Sequence, residues 1–335
     1  MAMDELQRSL GVTRVARVTG LDRAGIEVAC AVRPGGHVLQ VCNGKGLDWE
    51  TARASALGEA AELWAAERVN PGSLLYGGRG VFWPDAGELV EPRLAGARIA
   101  WRRARDLISG DEVLVPAQAV HCPPPGTVSL GPAAVRWSSN GMGAHPELAQ
   151  ALRHALLEAA ERDQVARALP QGFTPRVLRT RKLDPLTLPR AVQALVEKLE
   201  GAGLSPVLFD LSGVLAVAAA LLIDTEQGPL PLTAGYACGL APEEALLGAL
   251  LEAAQSRLTD VHGAREDVTP FERGPSLQLA RAASRAKPAR SAARMPRNAD
   301  ALDALRASGF SRVAAVELEA PLHVVKVLIP GAGLA

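Results

Sequence analysis

Alternating apolar and polar positions near the N-terminus predict a short antiparallel sheet followed by a helix. Strands are predicted at residues 12–18, 25–32 and 38–42. Turns are expected at 19–23 and at 43–46, where Gly and Asp or Asn occur together. A helix is then predicted from Asp48 to about Glu67.

The same order of an extended segment, a turn and a helix is predicted twice more. In the second unit, residues 133–138 are expected to be extended, 139–141 to turn and 146–168 to be helical. In the third unit, the corresponding segments are 231–237, 238–239 and 242–260. Pro and Glu at the starts of these two helices are typical of a first helical turn. The pattern therefore predicts three related units.

The remaining pattern predicts further helices and strands between and after these units. Helices are predicted at 188–202 and 300–307, and strands at 206–211, 214–223, 312–318 and 323–329. The apolar run 214–223 is too short to span a bilayer and is typical of a buried strand. Residues 281–297 carry six basic residues, two prolines and no acidic residue, so a mobile surface loop is expected. We predict one α+β domain over residues 1–335, with internal repetition.

Composition excludes several classes of protein. The 335 residues have a formal net charge of zero, so bulk attraction to nucleic acid or to an anionic membrane is not expected. The N-terminus lacks the apolar stretch of a signal peptide. The four cysteines are widely spaced, which favours unpaired thiols in a reducing compartment. A cytoplasmic protein is therefore expected.

The three predicted helices carry nearly the same acidic sequence, at residues 57–62, 156–161 and 250–255. Matched positions at i, i+4 and i+7 place three side chains of each helix on one stripe. The three sets are Ser55, Glu59, Glu62; His154, Glu158, Glu161; and Gly248, Glu252, Gln255. Converging carboxylates repel one another unless a cation lies among them, so the repetition predicts a metal site.

Basic residues close to these acids extend the prediction to a magnesium nucleotide. Mg²⁺ prefers oxygen ligands and bridges phosphates, and Arg binds phosphates with two parallel hydrogen bonds. Arg162 follows Glu158 by one turn, and Arg257 and Arg265 lie in or after the third helix. The alternative for any single copy is a solvated helix face, which three matched copies disfavour. No P-loop is present, and Lys45 is interpreted as a turn residue.

At these residues the chain resembles the YcaO family. The resemblance is carried by residues 44–46, 54–59, 138–141 and 158–163, by 255–257 with 263–265, and by the ending 324–331. It implies binding of ATP with Mg²⁺ through acidic helices of a YcaO-like fold. It also implies phosphorylation of a backbone amide oxygen in a peptide. A nucleophile then attacks the activated carbon and phosphate leaves, which gives an azoline, a thioamide or an amidine.

Site residues follow from the same resemblance, by motif. The resemblance implies that Mg²⁺ is bound by Glu59, Glu62, Glu158 and Glu161. It implies that ATP is bound by Ser55, Asn140, His154, Arg162 and Glu252, and that Gln255, Arg257 and Arg265 act on the phosphate or substrate side. His154 is equally compatible with a surface role. The chain departs from the family pattern at Leu63, where Arg is common, and at Pro146 and Gln150, where Asn and Glu are common.

Thioamide formation is the leading hypothesis for the reaction. Residues 329–335 contain one proline, whereas azoline-forming relatives carry a proline-rich tail and a leader-binding domain. Residues 255–259 and 263–265 resemble YcaO proteins that act with a TfuA partner or external sulfide. The alternatives are azoline or amidine formation, and a non-catalytic scaffold motivated by Leu63 and Gln150. Expected partners are a peptide or protein substrate and a TfuA-like or sulfur-donor protein, and a homodimer is an open alternative.

Overall fold

The protein has an α+β fold, as the sequence predicts. The structure is a computed structural model that describes residues 2–77, 97–226, 228, 230–267 and 273–332. This part of the chain contains three sheets with helices packed on them. No helix in it is both long and apolar enough to cross a membrane. All four cysteines are free thiols.

The first sheet carries the first acidic helix. It has the antiparallel order β1 (Arg14–Arg17), β2 (Glu27–Val32) and β3 (Val41–Gly46). Helix α1 (Met3–Ser9) precedes it, and helix α2 (Trp49–Glu67) packs across β2 and β3. The Asp48 side chain accepts a hydrogen bond from the Thr51 backbone N–H and so caps α2.

The second sheet has six strands and carries the second acidic helix. They are β4 (Leu74–Gly77), β5 (Ile99–Asp106), β6 (Glu112–Pro116), β7 (Met142–His145), β11 (Ala314–Leu318) and β12 (His323–Leu328). The order is β4-β5-β11-β12-β7, and β6 also pairs with β5. Helix α4 (Leu148–Ala168) packs on β7 and β12. The short helices α3 (Ala117–Val120) and α9 (Ala301–Ala307) lie against β5 and α4.

The third sheet is covered on both faces, which explains its apolar central strand. It has the order β10 (Leu232–Gly239), β9 (Ala216–Asp224) and β8 (Leu204–Asp210). Every residue of β9 is buried. Its even-numbered residues pack with helices α6 (Arg190–Gly201) and α7 (Pro242–His262). Its odd-numbered residues pack with α5 (Pro175–Arg181) and α8 (Arg273–Arg285).

Small residues let each acidic helix approach its strand closely. A Cβ atom on Gly44 of β3 would lie 2.1 Å from the backbone nitrogen of Ala56 in α2. A Cβ atom on Gly143 of β7 would lie 2.3 Å from the backbone oxygen of Ala151 in α4. In the third unit, a Cβ atom on Gly235 of β10 would lie 2.2 Å from the backbone nitrogen of Ala253 in α7. The Ala-rich composition of these helices therefore has a packing cause.

Three sequence predictions are wrong in their details. Residues 43–46 belong to strand β3 and do not form a turn, because they pair with β2. Residues 133–138 are not a strand, and β7 follows the 139–141 turn instead of preceding it. Residues 281–297 are not a mobile loop. Helix α8 includes 281–285, Ala292 and Met295 are buried, and Arg290 Nη1 donates to Asp210 Oδ2 at 2.9 Å.

Substitution of Gly44 tests the close packing of α2 on β3. We expect Gly44→Ala to lower the free energy of unfolding by about 3 kcal/mol or more, because the new methyl group would overlap the helix backbone. Chemical denaturation monitored by circular dichroism measures the effect. The control is Gly20→Ala, where a Cβ would meet no atom within 4 Å. Equal stability of the two variants would contradict the packing argument.

Candidate functional site

The same hydrogen bond fixes one glutamate in each of the three units. Glu59 accepts from the backbone N–H of Asn43 at 2.7 Å, and Glu158 accepts from that of Met142 at 3.1 Å. Glu252 accepts from the backbone N–H of Tyr236 at 3.4 Å. Each carboxylate on a helix is therefore held against the strand that precedes that helix.

The three helices are arranged in a ring, which brings these carboxylates together. Besides its own strand, each acidic helix contacts the strand of another unit: α2 contacts β7, α4 contacts β10, and α7 contacts β3. The contacts close a cycle, so the acidic stripes face one common region. We call the residues there the acidic cluster: Glu59, Glu62, Glu158, Glu161, Glu252, Lys45, Arg162, Arg265 and Lys326.

Burial and mutual repulsion make the carboxylates of the acidic cluster difficult to ionise. Burial, followed by repulsion from Glu158 and Glu59, raises the pKa of Glu62 well above its usual value. Burial and the neighbouring Glu252 raise the pKa of Glu161 to about 8. Burial also raises the pKa of Glu158. Such shifted carboxylates are typical of functional sites.

Basic side chains partly neutralise these carboxylates. Lys45 Nζ donates to Glu252 Oε2 at 2.9 Å. Arg162 Nη2 lies 3.4 Å from Glu161 Oε1 and 4.0 Å from Glu158 Oε1. Arg265 Nη1 lies 3.4 Å from Glu59 Oε1, and the same guanidinium also binds Asp267. The interpretation of Lys45 as a turn residue is therefore wrong, because Lys45 lies in strand β3 and forms an ion pair.

Lys326 is a member of the acidic cluster that sequence reasoning missed. Its side chain is 1% exposed, and Nζ donates to the backbone oxygens of Ser138 and Asn140 at 2.7 and 2.6 Å. Burial lowers its pKa to about 8, although Glu158 and Glu62 oppose this shift. The signal in the sequence was a single lysine inside an apolar strand, where an unpaired charge is costly.

Other predicted residues lie beside the acidic cluster in different ways. Gln255 donates from Nε2 to the Asn43 backbone oxygen at 2.7 Å and so joins α7 to β3. Ser55 and His154 occupy exposed positions on the stripes of α2 and α4. Partial desolvation of the ring by neighbouring groups, followed by the charge of Lys45, lowers the pKa of His154. Asn140 contributes its backbone oxygen to Lys326.

The structure places Arg257 in an ion network away from the acidic cluster, which contradicts the expectation of a phosphate-side role. Its side chain is buried, and Nε donates to Asp22 Oδ1 at 2.9 Å. Nη2 donates to Asp224 Oδ2 at 3.0 Å, and Nη1 donates to the Leu230 backbone oxygen. These bonds join α7 to the segment before β2 and to the end of β9. The geometry therefore gives Arg257 a structural role.

The two departures from the family pattern leave the acidic cluster intact. Leu63 is 2% exposed and belongs to the hydrophobic core between α2 and the first two sheets. Gln150 is exposed at the first turn of α4, after Pro146. Neither position carries one of the five cluster carboxylates.

Magnesium and a nucleotide fit the donors present in the acidic cluster. Within the described ranges, no three carboxylate, imidazole or thiol groups lie close enough to form a complete metal cage. Mg²⁺ commonly takes one or two carboxylates and completes its coordination with water and phosphate oxygens. The buried atoms Glu161 Oε1 and Arg162 Nε also lack a hydrogen-bond partner. One acceptor and one donor in the acidic cluster therefore lack a partner, which favours a ligand that supplies both a metal ion and phosphate oxygens.

Comparison with known proteins gives a family match over most of the chain. Residues 43–333 match the family model described as YcaO cyclodehydratase, ATP- and Mg²⁺-binding. A protein in the tfuA 3′ region of Rhizobium leguminosarum bv. trifolii is 30% identical over 97% of this chain and 84% of its own length. An uncharacterized protein of Methanothermobacter thermautotrophicus is 35% identical over 78% of this chain and 70% of its own length.

Solved structures of the same fold include one with a bound nucleotide. YcaO from Methanopyrus kandleri bound with AMPPCP and Mg²⁺ matches with a TM-score of 0.75 and 25% identity, over 98% of this chain and 88% of that chain. A heterocyclase in complex with substrate and cofactor matches with a TM-score of 0.77 and 18% identity, over the whole of this chain and 53% of that chain. At 18% identity, this second match shows the fold alone.

Substitution of Arg257 separates a structural role from a catalytic one. We expect Arg257→Met to lower the free energy of unfolding by about 3–5 kcal/mol, because it leaves the buried Asp22 and Asp224 without one shared cation. Denaturant unfolding measures the loss. The comparison variant Arg265→Met, at a partly exposed residue, should change stability far less. A stable Arg257→Met protein would refute the structural assignment.

Proposed function

The chain belongs to the YcaO family, and we propose that it uses ATP to activate a peptide backbone amide that sulfide then converts to a thioamide. The observation that carries the proposal is the acidic cluster at the junction of α2, α4 and α7. Five carboxylates there face four basic groups, and no P-loop is needed to supply charge for a nucleotide. ATP and Mg²⁺ are the cofactors of the family.

We assign the metal ligands to α2 and α4. Glu59, Glu62, Glu158 and Glu161 would hold Mg²⁺, one or two of them by direct contact and the others through its bound waters, and the ion would neutralise charge on the transferred phosphoryl group. Burial and repulsion favour the protonated form of these carboxyl groups. Mg²⁺ binding would require them to ionise and would therefore release protons. Arg162 would then exchange its long contact with Glu158 for a phosphate oxygen.

The remaining basic groups would orient the phosphates and the peptide. Lys45 lies between Glu252 and the other carboxylates and can reach a phosphate without leaving strand β3. Arg265 can exchange its 3.4 Å contact with Glu59 for the developing charge on the substrate side. Gln255 would act as a positioning residue, because its bond to Asn43 fixes α7 relative to β3. Positioning matters here since an amide oxygen is a weak nucleophile.

The proposed reaction has two steps. The amide oxygen attacks the terminal phosphorus of ATP, the bond to ADP breaks, and an O-phosphorylated imidate forms as the amide N–H proton is lost. Hydrosulfide then adds to the imidate carbon, its proton passes to the nitrogen, the C–O bond breaks, and phosphate leaves with the original amide oxygen. The product is a C=S bond beside a restored peptide N–H.

Support for sulfide as the nucleophile comes from the relative in the tfuA 3′ region. It matches nearly the whole chain, and residues 255–259 and 263–265 resemble the TfuA-associated proteins. A TfuA-like partner that delivers sulfur is therefore part of the proposal. The competing product is an azoline, which would form by attack of a Cys, Ser or Thr side chain of the substrate.

Glu158 provides the first test, since its charge can be removed without removing its hydrogen bond to strand β7. We expect Glu158→Gln to abolish the Mg²⁺-dependent rise in melting temperature with ATP while the protein stays folded, because an amide oxygen can still accept from Met142. Thermal shift with ATP, in MgCl₂ and in EDTA, measures this effect. The control is Glu147→Gln, an exposed acid before the same helix. An unchanged shift in Glu158→Gln would remove this residue from the metal site.

Mass spectrometry provides the second test, on the reaction. A substrate peptide incubated with the protein, ATP, Mg²⁺ and sulfide should gain mass, because sulfur replaces oxygen. The reaction should require all three small molecules. A mass loss of one water without sulfide would refute thioamide formation and establish cyclodehydration. A peptide with neither change, under conditions where ATP binding is intact, would favour a non-catalytic scaffold.

A further inference from the structure

A cavity lies at the C-terminal end of helix α2, and we call it the second cavity because the acidic cluster is the first candidate site. Its volume is about 490 Å³, within the range of small-molecule sites. Residues of α2 and of strand β5 line it, together with the segment that follows α3. None of its described lining residues belongs to the acidic cluster. The cavity is therefore a separate site in this chain.

Buried polar atoms without partners line this second cavity. His121 is 4% exposed, and both ring nitrogens are buried without a hydrogen bond. Nε of Arg102 is also buried and unpartnered. A buried polar group without a partner costs folding free energy, so native structures rarely retain several of them without a reason. A ligand with hydrogen-bond acceptors would satisfy the Arg102 Nε–H and the N–H of the His121 ring. Burial, followed by the charge of Arg102, lowers the pKa of His121 to about 4, so its ring is neutral.

The charges around the second cavity favour an anion. Arg68 lies over the Trp64 ring with its guanidinium carbon 4.0 Å from the centroid. Within the described part of the chain, neither Arg68 nor Arg102 forms an ion pair with a carboxylate. Glu67 is already neutralised by Arg33 at 2.5 Å, which leaves Glu319 as the acid near Arg102. Among the described lining residues, two guanidinium groups therefore line the cavity with one acid outside an ion pair, Glu319, whose Oε1 accepts a hydrogen bond from Asn70 Nδ2 at 3.2 Å.

We propose that this cavity binds a small organic monocarboxylate with an apolar body. Its carboxylate would accept hydrogen bonds from Arg102 and from the N–H of His121. Its apolar part would pack against Trp64, Val69 and Val128, which also line the cavity. A single negative charge fits better than a phosphate dianion, because Glu319 at the rim repels additional charge. The site does not depend on the proposed reaction.

Titration of the full-length protein with benzoate tests the proposal. Isothermal calorimetry should show saturable binding of one benzoate, and Arg102→Gln should weaken it at least tenfold. The matched control is Arg105→Gln, an exposed arginine on the opposite face of the same strand, which should bind as the wild type does. Because Arg68 is exposed, Arg68→Gln gives a second variant without risk to folding, and it should weaken binding severalfold.

Three results would overturn the proposal, and misfolding cannot imitate them. One is the absence of benzoate binding to the wild type. Another is a ligand preference that does not depend on a single carboxylate. Benzamide, which has the same shape without the charge, would then bind as tightly as benzoate, or inorganic phosphate would bind in place of benzoate. The third is unchanged affinity in both Arg102→Gln and Arg68→Gln. Retained Mg²⁺-dependent ATP binding in these variants would show that they are folded and that the two sites are separate.

Discussion

The close approach of each acidic helix to two strands is the constraint on which the site depends. Only small residues lie where each helix packs on its own strand, and each helix also contacts the strand of another unit. The bond from a strand N–H to Glu59, Glu158 or Glu252 then determines where each carboxylate lies. Larger residues at Gly44 or Gly143 would separate helix from strand, and the carboxylates would separate with them. The same small residues therefore serve the packing and the site.

Concentrating acids at the ring junction opposes folding. The raised pKa values of Glu62, Glu158 and Glu161 mean that ionisation of these groups destabilises the folded state. The surrounding core must offset that cost, as the buried strand β9 and its two covered faces do in the third sheet. The free energy of unfolding is therefore lower than it would be with apolar residues at this junction. Such a loss of stability is common where function requires like charges to lie close together.

Local patterns were sufficient for the long helices and for the acidic stripes, because both depend on residues a few positions apart. Local patterns could not predict which distant segments of the chain pair with each other. The Asn43–Gly46 segment has turn composition but becomes a strand through its pairing with β2. Arg257 looked similar to Arg265 in sequence, yet Asp22 and Asp224 bind it from far along the chain. Basic composition at 281–297 also concealed the end of helix α8, whose Ala280 and Ala283 are buried.

The third unit differs from the other two, and the difference makes the α7 side of the acidic cluster distinct from the α2 and α4 side. Gln255 replaces the second acid that α2 and α4 carry as Glu62 and Glu161, so the ring has five carboxylates and not six. Its amide binds the Asn43 backbone, and Lys45 neutralises Glu252 beside it. Carboxyl groups are therefore most numerous between α2 and α4 and fewest towards α7. Under the proposed function, the metal would lie on the α2 and α4 side. The less charged α7 side, with Arg265 near it, would receive the neutral peptide amide.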